Sequence, residues 1–444
     1  MTKSVEKILE IIEEAGHEAY IVGGCVRDYF LNKKPKDYDV TTSMEPNDVM
    51  NLFKKKGYNV VPTGLKHGTV TVFPKGETEG YEITTYRTEG EYLDSRHPSS
   101  VSFTKSLKED LERRDLTINA MAYSPKRGLV DLFGGQDDLR NKIIRTVGNP
   151  YDRISEDALR MMRAIRFSAQ LGFEIDDALT AAIKSKSSSI NNISKERIHD
   201  ELSKILLSNN PQYVEKLYST GLLKHFMPEL HICFLTKQNN PWHLYDVGRH
   251  TMKALEGSAV DLTLRLAILL HDIGKPDTKV TDENGVDHFY GHAEKSAIRA
   301  REVLKRLKFT SKEVEEVSLL VEIHDYQLEE TPRSVRRFVS RYSLDDRMFS
   351  LYCKLKTADN RGQNPALSSE IIEKTKRIEK IYSEEKEQPV SVKNLAVSGY
   401  DAMSLGYKDV EIGVELNKLL EAVIDNPSLN TKEILMDMMR KDRA

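Results

Sequence analysis

Only three of the 444 residues are cysteine and one is tryptophan. Cys25, Cys233 and Cys353 lie far apart and form no CxxC pair. That excludes a disulfide framework and a cysteine-rich zinc module, and it is what a reducing cytoplasm predicts. No apolar run approaches the ~20 residues needed to span a bilayer, so a helical membrane protein is excluded. Charge of one sign is missing too: 66 basic residues face 69 acidic ones, for a formal net charge of -3. Any nucleic-acid surface must therefore be a local cluster of Lys and Arg. The opening MTKSVEKILEIIEEAG lacks the pattern of a signal peptide. Val5, Ile8, Leu9 and Ile12 recur at helical spacing between charges and predict an amphipathic helix. No internal repeat or low-complexity tract is present.

What is there is the composition of a globular chain, 39% hydrophobic and 30% charged, long enough for about two to four domains. Up to about residue 145 short β-branched runs alternate with helical stretches. HEAYIVGGCVRD holds a strand, a Gly-Gly turn and a helix start; DYDVTT, HGTVTVF and YEITTYR read as strands of one sheet. From about 150 the pattern is helical, with Leu159, Met162, Ala164, Ile165 and Leu171 as core candidates. Polar SEEKEQPVS, residues 383–391, reads as a linker before a last helical segment. The fold class is α+β: a mixed-sheet head followed by an all-helical remainder. The division expected is 1–146, 147–235, 236–382 and 383–444.

Three elements of the head carry chemistry. Gly23-Gly24 precedes Val26-Arg27-Asp28 at a strand-to-helix turn, where glycines let backbone N–H groups approach a phosphate. On its own such a pair is equally a plain turn. Asp37 and Asp39 flank Tyr38 at a strand start, so they share a face. Two like charges on one face call for a cation between them, as in an oxygen-ligand Mg²⁺ site, although a solvated loop pair reads the same. Glu82 enters an apolar strand, either as a third carboxylate or as a surface residue.

The order is more telling than any part. GGCVRD, then DYDVTT nine residues later, then EITTYR, then RRDLTINAMA at 113–122 resemble the class II tRNA nucleotidyltransferase and poly(A) polymerase family. EDALRMMRAIRF at 156–167 is similar to that family's nucleotide-recognition motif, KERIHDEL at 195–202 to its next helix, and LAVSGYDAMSLGY at 395–407 to its tRNA-binding tail. The resemblance implies catalytic Asp37, Asp39 and Glu82, with two Mg²⁺ ions held by the aspartates. It also implies triphosphate contacts from Gly23, Gly24 and Arg27, and sugar and phosphate contacts from Arg114, Asp115 and Asn119. The expected substrates are CTP and ATP, the partner tRNA and the product a completed CCA end. Lys393, Ser398, Gly399 and Lys408 would lie near the tRNA elbow.

Base choice has a physical reading. Glu156, Asp157 and Arg160 are expected on one helix, with Glu156 steadying the guanidinium at four residues' distance. Cytosine and adenine each offer an amino donor beside a ring-nitrogen acceptor. Asp only accepts and Arg only donates, so the pair complements both, while guanine and uracil present the reverse. Arg163 is expected on the same face and Arg166 is more marginal. An ion-paired helix face is the bland alternative. Residues 87–103, RTEGEYLDSRHPSSVSF, resemble the family's flexible loop, which is shortened in CC-only members.

Histidines gather in the middle: His250, His271-Asp272, His292 and His324, followed by Asp359. With LAILLHDIGKP and GHAEKSA these resemble the HD phosphohydrolase superfamily, which implies a metal-dependent phosphatase or cyclic phosphodiesterase. Imidazole-rich ligation suits a transition metal such as Ni²⁺, Mn²⁺ or Fe. An inert helical spacer is the alternative. His67, His243 and His288 fit no slot and read as surface or packing residues. Arg333, Arg336, Arg337 and Arg341, with Phe338 between, form either a phosphate-binding stripe or a solvated basic face. Three rivals stand beside CCA addition: A-only addition after a separate CC-adding enzyme, poly(A) polymerase, and an HD phosphohydrolase with an RNA-binding head.

Overall fold

Short β-branched runs build the expected sheet. Its strands are β1 (Ala19–Val22), β2 (Asp39–Thr42), β3 (Asn59–Gly64), β4 (Thr69–Phe73) and β5 (Tyr81–Thr85); β6 (Arg87–Glu89) and β7 (Val101–Phe103) form a separate hairpin, and β8 (Met121–Ser124) and β9 (Gly128–Asp131) return to the sheet. The order is β3-β4-β5-β2-β1-β8-β9. Only β2 and β5 run parallel, with Asp39 opposite Glu82. The computed structural model describes residues 1–90 and 100–443, so residues 91–99 of the flexible-loop segment lie outside the described residues. It divides into two units, Met1–Pro228 and Glu229–Ala444.

In the first unit the amphipathic helix forms as Lys3–Glu14, capped by Thr2, and buries Val5, Ile8, Leu9, Ile11 and Ile12. Val22, Val40, Val70, Val72 and Ile83 fill the sheet's interior. The helical stretch is less continuous than its periodicity predicts. Helix Pro150–Glu156 stops, Asp157 is extended at φ -139, and a new helix runs Leu159–Leu171. Leu159, Met162, Ala164 and Ile165 are buried as expected, and Leu171 is half-buried.

In the second unit five helices carry the histidine set: Val247–Leu255, Leu262–Leu270, His292–Arg306, Ser311–Ile323 and Asp346–Arg361. The remainder is not entirely helical, because Val280–Thr281 and Asp287–His288 pair as a short hairpin. The expected linker also shortens. Helix formers carry Pro365–Glu385 into it, and Pro389 cannot extend a helix, so only the residues after Glu385 connect to the tail. The tail has its own core of Ala402, Leu419, Val423, Leu435 and Met439.

Candidate functional site

The parallel β2–β5 register sets Asp39 beside Glu82 at the mouth of the sheet. Asp37 lies in the bend just before β2 rather than in the strand, so strand alternation is not what brings the two aspartates together. All three carboxylates are exposed. Partial desolvation, then Asp37 and Glu82, raise the Asp39 carboxyl, and Arg114 opposes them. Their carboxylate oxygens do not all lie within 4.8 Å of one another, so the three couple electrostatically without forming a converged ligand set.

Behind the carboxylates lies the Gly-Gly turn. Gly23, at φ +78, caps helix Gly24–Phe30. The positive φ favours glycine, and a Cβ there would meet Arg114 Nη1 at 3.3 Å, so the guanidinium lies close against the turn. From this turn a hydrogen-bonded chain runs through the next sequence motif. Arg27 donates to Asn119 Oδ1 at 2.7 Å, Asn119 donates to Asp115 Oδ1 at 3.3 Å, and Arg163 Nε donates to Asp115 Oδ2 at 2.7 Å. Burial raises the Asp115 carboxyl, but the Arg163 guanidinium outweighs burial and holds it below the ordinary range. Arg27, Arg163 and Arg166 also surround the Phe167 ring, with guanidinium carbons 5.1, 5.7 and 4.0 Å from its centroid. Arg166 is buried and pairs with Glu201 at 3.0 Å.

The base-reading set departs from expectation. Asp157 does not share a helix with Arg160, because the chain breaks at Asp157. Just before the second helix, whose N-cap position is Ala158, Asp157 accepts from Leu159 N at 2.9 Å in a local turn bond. Its other partner is Arg197, which donates at 2.7 and 3.4 Å. The sequence signal for Arg197 is a basic residue in KERIHDEL, on helix Lys195–Leu206. Arg160 is buried and donates to the carbonyls of Arg153 and Arg113, each at 3.1 Å, and to the Glu156 carboxylate; the expected pairing forms, but across the break between two helices rather than along one.

In the second unit the six expected ligands converge. Each imidazole has Nδ1 on a backbone carbonyl: His250 on Gly362 at 3.1 Å, His271 on Ile268 at 2.7 Å, His292 on Phe289 at 2.9 Å and His324 on Val321 at 2.6 Å. With Nδ1–H donating, every Nε2 keeps its lone pair for a metal. Asp272 lies between two groups. Its Oδ2 is 3.5 Å from His250 Nε2 and 3.2 Å from His271 Nε2. Its Oδ1 is 3.5 Å from His292 Nε2 and 3.8 Å from His324 Nε2. Asp359 Oδ1 adds contacts of 3.0 and 3.4 Å to His250 and His271. Two three-residue sets, His250–His271–Asp272 and Asp272–His292–His324, have ligand atoms within 4.8 Å of one another, and among the described residues no other set does. Burial lowers the His271 imidazole, but Asp272 and Asp359 outweigh burial and push it up to about 10.

His292 and Asp359 of the set line a cavity of about 670 Å³. His243 and His288, read from sequence as unconnected to the site, line that cavity. Lys275, missed although it stands inside HDIGKP, is buried and lies 2.8 Å from Asp272 Oδ2.

The arginine stripe is largely engaged by the chain itself. Arg333 and Arg337 both bind Asp425, while Arg336 is buried, donating to the Ile424 carbonyl at 2.8 Å and to Glu385. Phe338 is buried in the core, not set between the arginines on the surface. Arg341 stands over the Tyr342 ring.

Residues 19–145 match the poly A polymerase head domain, residues 172–233 the family described as probable RNA and SrmB-binding site of polymerase A, and residues 243–360 the HD domain. A head with three carboxylates, followed by these two domains, defines the class that the chain resembles: a poly A polymerase head domain with the RNA-binding region of polymerase A and an HD domain. Its curated relatives are more particular. A CCA-adding enzyme of Ligilactobacillus salivarius is 50% identical over 224 residues, 50% of this chain and 54% of the relative. One from Bacillus velezensis is 47% identical over 218 residues, 49% and 54% of the two chains. The chain thus spans about half the length of the curated relatives it matches. The crystal structure of the Bacillus stearothermophilus CCA-adding enzyme in complex with CTP is similar over 100% of this chain and 98% of that one, with a TM-score of 0.70 and 26% identity. The Thermotoga maritima CCA-adding enzyme complexed with tRNA shares the fold, with a TM-score of 0.63 at 19% identity, over 100% of this chain and 97% of that one. The head and HD domains imply metal dependence. Among the described residues no helix is long and apolar enough to cross a membrane.

Proposed function

We propose that this chain is a cytoplasmic tRNA nucleotidyltransferase that adds C, C and A to the tRNA 3′ end from CTP and ATP without a template. The observation that carries this is the Asp39–Glu82 register with Asp37 alongside, in a head whose relatives are CCA-adding enzymes. Asp37 and Asp39 are the ligands for two Mg²⁺ ions and Glu82 the third acidic residue; bound Mg²⁺ supplies hydroxyl activation and neutralises phosphate charge. Gly23, Gly24, Arg27 and Arg114 receive the triphosphate, and Asp115 and Asn119 fix the arginines around the sugar. Glu156 and two carbonyls hold Arg160 still, so its remaining donors are aimed before the base arrives. Asp157 and Arg160 then read the amine and ring nitrogen shared by C and A, with Arg163 beside them. Arg341 and the tail residues Lys393, Ser398, Gly399 and Lys408 serve RNA contact, in the working division 1–146, 147–235, 236–382 and 383–444. The test is addition of each nucleotide in turn to tRNA ending before CC or after CC.

A second activity is favoured by the four inward Nε2 atoms around Asp272: metal-dependent hydrolysis of a phosphoester in the 236–382 domain. His250, His271, Asp272 and Asp359 suit one transition-metal ion, and Asp272, His292 and His324 a neighbouring one. Metal analysis of the purified protein, with hydrolysis assays across several divalent metals, tests it.

A further inference from the structure

Asp110 is completely buried yet carries a carboxylate, on the short helix Leu107–Glu112. Such burial is costly unless every lone pair is used, and here both oxygens are used, for different things. Oδ1 accepts from Arg113 Nε at 3.0 Å, from Arg113 Nη2 at 2.7 Å and from the Arg87 backbone N–H at 3.4 Å, at the first residue of β6. Oδ2 accepts from Thr41 Oγ1 at 3.2 Å and from Arg114 Nη2 at 3.4 Å. Thr41 lies on β2, two residues past Asp39, and Arg114 lies against the Gly23 turn. Burial raises the Asp110 carboxyl, but Arg114 and Arg113 outweigh it and keep it ionised.

We propose that Asp110 is a positioning residue for nucleotide binding: through Oδ2 it fixes the Arg114 guanidinium over the Gly23–Gly24 turn relative to the carboxylate strand, while Oδ1 anchors the root of the β6–β7 hairpin. This rests on the nucleotidyl-transfer reading above. Asp110 is fully buried, so its effect on the triphosphate passes through Arg114, which lies against the Gly23 turn, and falls alike on CTP and ATP.

The test is a double-mutant cycle of Asp110→Asn with Arg114→Ala, reading kcat and KM for CTP, ATP and tRNA, with CTP binding by calorimetry. Asp110→Asn is expected to raise the nucleotide KM about tenfold, by the same factor for CTP and ATP, with the tRNA KM unchanged and no further loss when Arg114 is already Ala. Losses that multiply in the double variant, or that fall on tRNA, overturn the proposal. Should Asp110→Asn fold poorly, Thr41→Val removes one Oδ2 partner alone. It is expected to raise the nucleotide KM by a smaller factor, again only while Arg114 is present, and an unchanged KM overturns the proposal. A wild-type protein that adds no nucleotide sinks the parent reading instead, and calorimetric CTP binding then still decides for Asp110 by the same cycle.

Discussion

Both metal candidates gather negative charge, and they balance it in opposite ways. The head presents exposed Asp37, Asp39 and Glu82 with one arginine nearby, a hard, all-oxygen set open to solvent. The second unit buries Asp272 and Asp359 among four imidazoles whose Nδ1 atoms are each fixed by a carbonyl. Oxygen ligands and open access suit Mg²⁺ carried with a triphosphate; imidazole and burial suit a retained transition metal. The two ligand sets thus differ in hardness and in access.

The sharpest way to break this comparison is to disable each site alone. Asp39→Ala is expected to lower nucleotide addition by three orders of magnitude or more, on the order of the several kcal/mol that metal stabilisation supplies, while phosphoester hydrolysis and tRNA binding stay unchanged. Near-normal addition by this variant would remove Asp39 from the metal site. His271→Ala is expected to release bound transition metal and abolish hydrolysis without altering addition. Elemental analysis and both assays on one preparation check this, and joint loss of the two activities would contradict two independent centres.

A smaller effect sharpens the account of base choice. Asp157→Ala or Arg160→Ala should each lose tenfold to hundredfold for C and A, from about 1.5–3 kcal/mol per charged hydrogen bond, and should admit more UTP and GTP. Arg197→Ala, which frees Asp157 without removing it, should relax discrimination by a lesser factor. Wild-type selectivity in all three would assign base choice elsewhere. Smallest of all is the effect of the arginine stripe on RNA. Arg336→Ala should lower thermal stability by about 1–3 kcal/mol, because it removes a buried guanidinium that donates to the Ile424 carbonyl and the half-buried Glu385 carboxylate, yet leave the salt dependence of tRNA binding unmoved. Arg341→Ala should do the reverse, reducing the salt slope by roughly one.

The parts that sequence made legible are those in which one residue's chemistry and its neighbours in the chain suffice. Strands β1, β2, β4 and β5 follow from β-branched runs, while the histidine set, spread from His250 to Asp359, was legible only through its resemblance to the HD superfamily. Partnerships across the chain were hidden. Helical periodicity runs unbroken through 150–171, but the chain is extended at Asp157, which turns to Arg197, a tertiary pairing that no local pattern records. The basic stripe misled for the same reason, since periodicity cannot show that Asp425 and Glu385 already face it. Asp110, ordinary in sequence beside two arginines, becomes distinctive only when Thr41 and the Arg87 backbone close around it.

The most direct test supplies purified protein with Mg²⁺ and tRNA trimmed before its CCA end, then CTP alone, ATP alone, and both, with products sized to single-nucleotide resolution. Two additions from CTP alone, and a third only when ATP is also present, are predicted. Addition confined to a single A on tRNA already ending in CC, or no addition from either nucleotide, would contradict the claim that this one head reads both bases.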